Sequence, residues 1–208
     1  MKHAASRALH AYWDRLRGTR AAPDRADLDP GAIRSLLGDV YLLELGMPRQ
    51  FTIRLAGTRL CALFCRELKG ASLDSLFAPQ DQGEIADLVT EVTGSVIPMV
   101  AGIGGETAAG QSIDLELMAL PLRHRGRTQA RLLGSLAALD VPYWVGTVPV
   151  ERLRVVSARR LYPGIVPLSQ EGLNQEGLNQ EGLDQEGLDH EERPRPKGRL
   201  KVLPGGRA

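Results

Sequence analysis

The chain has 208 residues, 43% of them apolar, enough for one well-filled core with tails. A formal net charge of +1 and 4% aromatic content argue against a nucleic-acid binder working through a basic surface or base stacking. No run approaches the about 18 apolar residues that cross a bilayer, and the polar start MKHAASRALHAYW lacks the apolar segment of a secretory signal.

Residues 6–17 read as an amphipathic helix, with Leu9, Tyr12, Trp13 and Leu16 on one side, Ser6 as cap and Gly18 as stop. Residues 18–28 form a loop. Asp29-Pro30 then opens a second helix whose apolar side is Ile33, Leu36 and Leu37. Val40 to Leu45 is a β-rich run, turned back by residues 46–50 into a strand. There Phe51, Ile53 and Leu55 alternate with Thr52, Arg54 and Ala56. That alternation puts Ile53 and Leu55 on one face and Arg54 on the other, toward solvent or a dimer contact. Gly57 ends it. Thr58 caps a short helix with Leu60, Cys61, Leu63 and Phe64 on its apolar side, which sets Cys61 and Cys65 one turn apart. After Gly70 come a one-turn element (Leu73, Leu76, Phe77), then Pro79-Gln80-Asp81, then a helix over 80–93 with Ile85, Leu88, Val89 and Val92 inward.

Three strands follow. Val96 to Gly104 is apolar on both sides and carries Pro98, the mark of an edge or a strand start. Ile113, Leu115, Leu117 and Ala119 alternate with Asp114, Glu116 and Met118, so the polar face is expected outward. Arg123 to Arg127 is a basic turn, and Ala130 to Leu139 a last strand. Gly102-Ile103-Gly104-Gly105 reads as a loop between strands, because it lacks the strand-then-helix context of a dinucleotide site. Beyond Asp140 the pattern fades: Tyr143 and Trp144 can tuck against the domain, and Glu151 to Tyr162 reads as a short basic helix. Gln170 to Asp189 repeats every five residues with six acidic and no basic side chains, a period that matches neither helix nor strand. Arg193 to Arg207 carries six basic and no acidic residues and reads as a solvated end, loosely collapsed on the acidic repeat.

Strand, short helix, Gly-marked turn, short helix, Pro-x-Asp: in this order FTIRLAGTRLCALFCRELKGASLDSLFAPQD resembles the central part of a PAS domain. The words LAGTRL and CRELKG are similar to the short PAS-only proteins of alphaproteobacteria. The resemblance implies an α+β fold, a five-stranded antiparallel sheet with helices over one face. Residues 1–28 are then an N-terminal flanking helix and loop, 29–145 the PAS-like domain, 146–169 a C-terminal extension, and 170–208 a disordered repeat and basic tail. It also implies a space between sheet and helices that holds a small ligand or is filled by side chains. Leu55, Leu60, Phe64, Val89, Leu117 and Leu136 are its candidate walls, each equally explained as core. The expected function is a cytoplasmic sensory or protein-interaction module in signal transduction, with no output domain of its own. Its signal leaves through a homodimer or a separate signalling protein. The first helix either packs on its own domain or offers Leu9, Trp13 and Leu16 to a second copy.

The catalytic signatures sought are missing: no nucleophile elbow, no P-loop, no kinase motif, and none of His3, His10, His124 and His190 spaced for a metal. Cys65-Arg66 is similar to the flavin-adduct motif N-C-R-F-L-Q of light-sensing PAS relatives at those two positions only. Haem-binding relatives take an axial histidine from a helix over the sheet, and residues 58–94 contain none. No cofactor is assigned. Cys61 and Cys65 read as small buried hydrophobes, or as a redox pair. Two alternatives stand beside the sensory module. One is a small-molecule-binding enzyme, should Asp114 and Glu116 face inward. The other is a nucleic-acid-associated protein using residues 193–207.

Overall fold

The computed structural model describes residues 1–46, 49–124 and 127–162. The acidic repeat and basic tail lie outside the described residues. Helix α1 (Ala4–Arg17) is followed by three 3₁₀ turns, Arg25–Asp27, Pro30–Ile33 and Leu37–Asp39. Strands β1 (Val40–Gly46) and β2 (Gln50–Ala56) come next, then α2 (Thr58–Leu63), a 3₁₀ turn at Asp74–Leu76 and α3 (Gln82–Ser95). Four strands complete the fold: β3 (Met99–Thr107), β4 (Ser112–His124), β5 (Arg127–Ala138) and β6 (Val150–Arg160). All six pair antiparallel in the order β2-β1-β5-β4-β3-β6.

The fold class is the expected α+β, with four differences. The sheet has six strands rather than five, because Glu151 to Tyr162 is not a helix: residues 150–160 run antiparallel to β3. The register shifts twice, and the shift between Glu106 and Thr107 lets Val150 and Leu153 reach the same buried face although three residues apart. Three is also a helical spacing, so the bulge disguises the strand. Second, the glycines at 102, 104 and 105 lie inside β3, not in a loop. Third, the segment opened by Asp29 is two separate 3₁₀ turns. Asp29 does cap the first, its Oδ1 accepting the Gly31 N–H at 2.8 Å, but no α-helix follows.

Helices also lie on both faces of the sheet rather than one. On the inner face, α2, the Asp74–Leu76 turn and α3 bury Leu60, Leu63, Phe64, Ile85, Val89 and Val92 against Tyr41, Leu43, Leu115, Leu117 and Leu136. Trp144 joins this core, while Tyr143 beside it is fully exposed. On the outer face, α1 buries Leu9, Tyr12 and Trp13 against Met118, Leu120, Leu122 and Leu133. Alternation along β4 feeds both layers, with odd positions inward and even positions outward. Gly134 lies under the Tyr41 ring, where a Cβ would meet Cζ at 2.2 Å. The Tyr41 hydroxyl donates to the Met118 carbonyl at 2.9 Å, and burial pushes this phenol far above its ordinary range.

Candidate functional site

Five of the six candidate wall residues meet in one place. Leu60, Phe64, Val89, Leu117 and Leu136 are all buried in the single cluster between the sheet and helices α2 and α3. Leu55 does not join them. Leu42 pairs with Leu55 and Leu43 with Ile53, so Arg54 is an extra residue in β2 with no partner in β1. This bulge breaks the two-residue period, leaving Ile53 buried on the inner face and turning Leu55 outward, 46% exposed. Arg54 is exposed and pairs with Glu44, which also takes Arg131 at 3.0 Å; these guanidinium groups hold the Glu44 carboxyl below the usual glutamate range.

The two cysteines do not share a helical side. Helix α2 ends at Leu63, and Cys65 lies beyond it with φ +48°. The Cys65 N–H donates to the Ala62 carbonyl at 3.2 Å and the Arg66 N–H to the Cys61 carbonyl at 3.1 Å. This is the Schellman end of a helix, whose left-handed position glycine normally fills. Cys61 is half-buried with its Sγ 3.7 Å from Glu67 Oε2, and Cys65 is exposed.

The first helix is committed to its own sheet. Leu9 and Trp13, expected as a homodimer contact, are buried within the chain, and only Leu16 is half-buried at the margin. Trp13 Nε1 donates to the Pro121 carbonyl at 2.8 Å. The Tyr12 hydroxyl accepts the Asp29 N–H at 2.7 Å and donates to the Asp29 carbonyl at 3.2 Å.

Asp114 and Glu116 face outward, as the alternation requires, but with different fates. Asp114 is exposed, whereas Glu116 is buried beneath the start of α1. Its carboxylate accepts the N–H of Lys2 at 2.5 Å and of His3 at 2.9 Å. Burial pushes this carboxyl up, but those N–H donors outweigh it and hold the group below the ordinary glutamate range. An acidic residue at a helix start is electrostatically favoured. Sequence reasoning missed this role, because the partners lie 113 and 114 positions apart. Among the described residues, no cluster of His, Cys, Asp and Glu is arranged to hold a metal ion, and no helix is long and apolar enough to cross a membrane.

No curated protein matches the chain. Three solved structures share part of its arrangement. A light-oxygen-voltage domain from work on a flavin analogue is 13% identical with TM-score 0.43, over 53% of this chain and 83% of that one. The PAS domain of a Colwellia psychrerythraea protein is 14% identical with TM-score 0.40, over 53% and 97%. The PAS domain of a LuxR-family transcriptional regulator from Burkholderia thailandensis, solved with ethanol, is 17% identical with TM-score 0.39, over 52% and 97%. The family model described as PAS domain matches residues 1–137, from α1 to the penultimate residue of β5. The chain belongs to the PAS domain family.

Proposed function

We propose that this protein is a sensory or protein-interaction module in signal transduction, passing its signal through dimer or partner contacts. The observation that carries the reading is the family match over residues 1–137. Two structural features support it. Leu60, Phe64, Val89, Leu117 and Leu136 are buried in one apolar cluster between the sheet and helices α2 and α3, which suits a packed interaction module as well as a sensor. The large apolar side chains Val141, Tyr143 and Val156 are exposed, giving contact points that α1 does not cover.

The test is native mass spectrometry of the freshly purified chain, compared with its denatured mass. The reading expects either a non-covalent mass increment, which makes the core a ligand site, or a bare chain at dimer mass. A bare monomer that stays monomeric when concentrated, and that binds no signalling protein offered to it, would count against the proposal.

A further inference from the structure

A concave site lies on the outer face, away from the packed core between the sheet and α2 and α3. It is an open groove of about 360 Å³ at the β2 edge. Leu42 and Leu55 form its floor, Leu28 just after the first 3₁₀ turn with Ile33 and Leu37 of the next two makes one wall, and Leu133 of β5 contributes from the neighbouring strand. The bulge at Arg54 is what aims Leu55 into it.

The groove is held open by contacts within and just beyond its lining. Asp39, buried, takes Arg59 Nε at 2.7 Å and Nη2 at 2.6 Å, tying the Leu37–Asp39 turn to α2. Gly57 lets β2 end directly under that turn; a Cβ there would lie 2.0 Å from the Leu37 carbonyl oxygen. The walls are therefore pinned before any ligand arrives, the property of a site that binds without rearrangement.

At its border stands one cation. Arg25 lines the groove and is exposed, and among the described residues it has no carboxylate within ion-pair distance. The nearest acids on its own turn are otherwise engaged: Asp24 and Asp27 pair with Arg20 at 3.4 and 2.8 Å. An aliphatic trough with a single available guanidinium matches a molecule that is apolar along its length and anionic at one end. A protein partner would need roughly 1,000 Å² of interface, more than a trough of this size supplies alone.

We propose that this groove binds a free aliphatic monocarboxylate, its alkyl chain along Leu42, Leu55 and Leu133 and its carboxylate on Arg25. The site is independent of whether the inner core holds a ligand.

The experiment titrates dodecanoate, below its micelle-forming concentration, into the full chain by calorimetry, with dodecanol as the uncharged comparison. One saturable site is expected. Arg25→Ala weakens dodecanoate by about tenfold, the worth of one charge-assisted contact, and leaves dodecanol within about twofold. Leu55→Asp abolishes binding of both. Leu28→Glu, on the opposite wall, gives the same loss, and unaltered thermal unfolding of the three variants shows that folding is intact. The proposal is overturned by the absence of saturable dodecanoate binding, or by binding that Leu55→Asp and Leu28→Glu leave unchanged, which would place the ligand in the inner core. It also fails if the chain sediments with anionic phospholipid vesicles while ignoring free dodecanoate.

Discussion

Cys65 carries the left-handed backbone that closes α2. A residue with a Cβ is strained at that φ, whereas glycine is not, although glycine also raises the entropy of the unfolded chain. The strain is the larger effect, so Cys65→Gly is expected to stabilise the protein by about 0.5–1 kcal/mol. Urea unfolding of the two chains measures it, and an unchanged or lower midpoint would contradict the strain. At this scale the sequence was informative about chemistry and poor about geometry. Helical spacing paired Cys65 with Cys61 because nothing local announced that α2 stops at Leu63 or that Cys65 turns left-handed. Leu60, Phe64, Val89 and Leu117 fell on the apolar sides that periodicity marked in their own elements, whereas Leu136 was named only through the resemblance; all five lie in the core between the sheet and helices α2 and α3. The outward turn of Leu55 was not legible, because the bulge at Arg54 appears only when β2 is paired with β1.

Helix α1 was legible as an amphipathic element, but not in its destination. Leu9 and Trp13 make the same pattern whether they face a second copy or the chain's own sheet, and here they cover β4 and β5. Its start is anchored by Glu116 through the N–H groups of Lys2 and His3. Glu116→Gln keeps the shape and removes the charge, and is expected to cost about 1–2 kcal/mol of stability. Faster amide exchange at Lys2 and His3 should accompany the loss. The pH dependence has a definite sign. Glu116 is held below its ordinary value of 4.5, so its contribution is fully present above that value and disappears as pH falls through the lowered one. The stability gap between parent and Glu116→Gln should therefore narrow in thermal unfolding as the pH drops below about 4.5. A gap that persisted in acid would mean that the amide change acts through packing alone.

Over the whole molecule, the order of two strands, helices and then three strands was readable along the chain, and its resemblance to a PAS domain implied the α+β class before any pairing was known. The sixth strand escaped because its own bulge imitates helical spacing. It is not an ornament: Leu153 and Val150 are fully buried against the inner core, and the Leu153 carbonyl accepts the Ala78 N–H at 2.9 Å. Leu153→Ala is expected to lose about 2–4 kcal/mol, as for a large buried leucine, and denaturant unfolding reads it directly. A cost under about 0.5 kcal/mol, typical of surface changes, would place β6 outside the cooperative unit. The bulge in β2 has a consequence for comparing chains. Deleting Arg54 alone would make Ile53 and Leu55 consecutive, still on opposite faces and still opposite Leu43 and Leu42, so the outer trough would keep its floor. The trough is thus written in how β2 pairs with β1: a relative of equal length that paired β2 without the bulge would carry the same side chains with Leu55 turned inward, and a comparison of residue identities would pass straight across the difference.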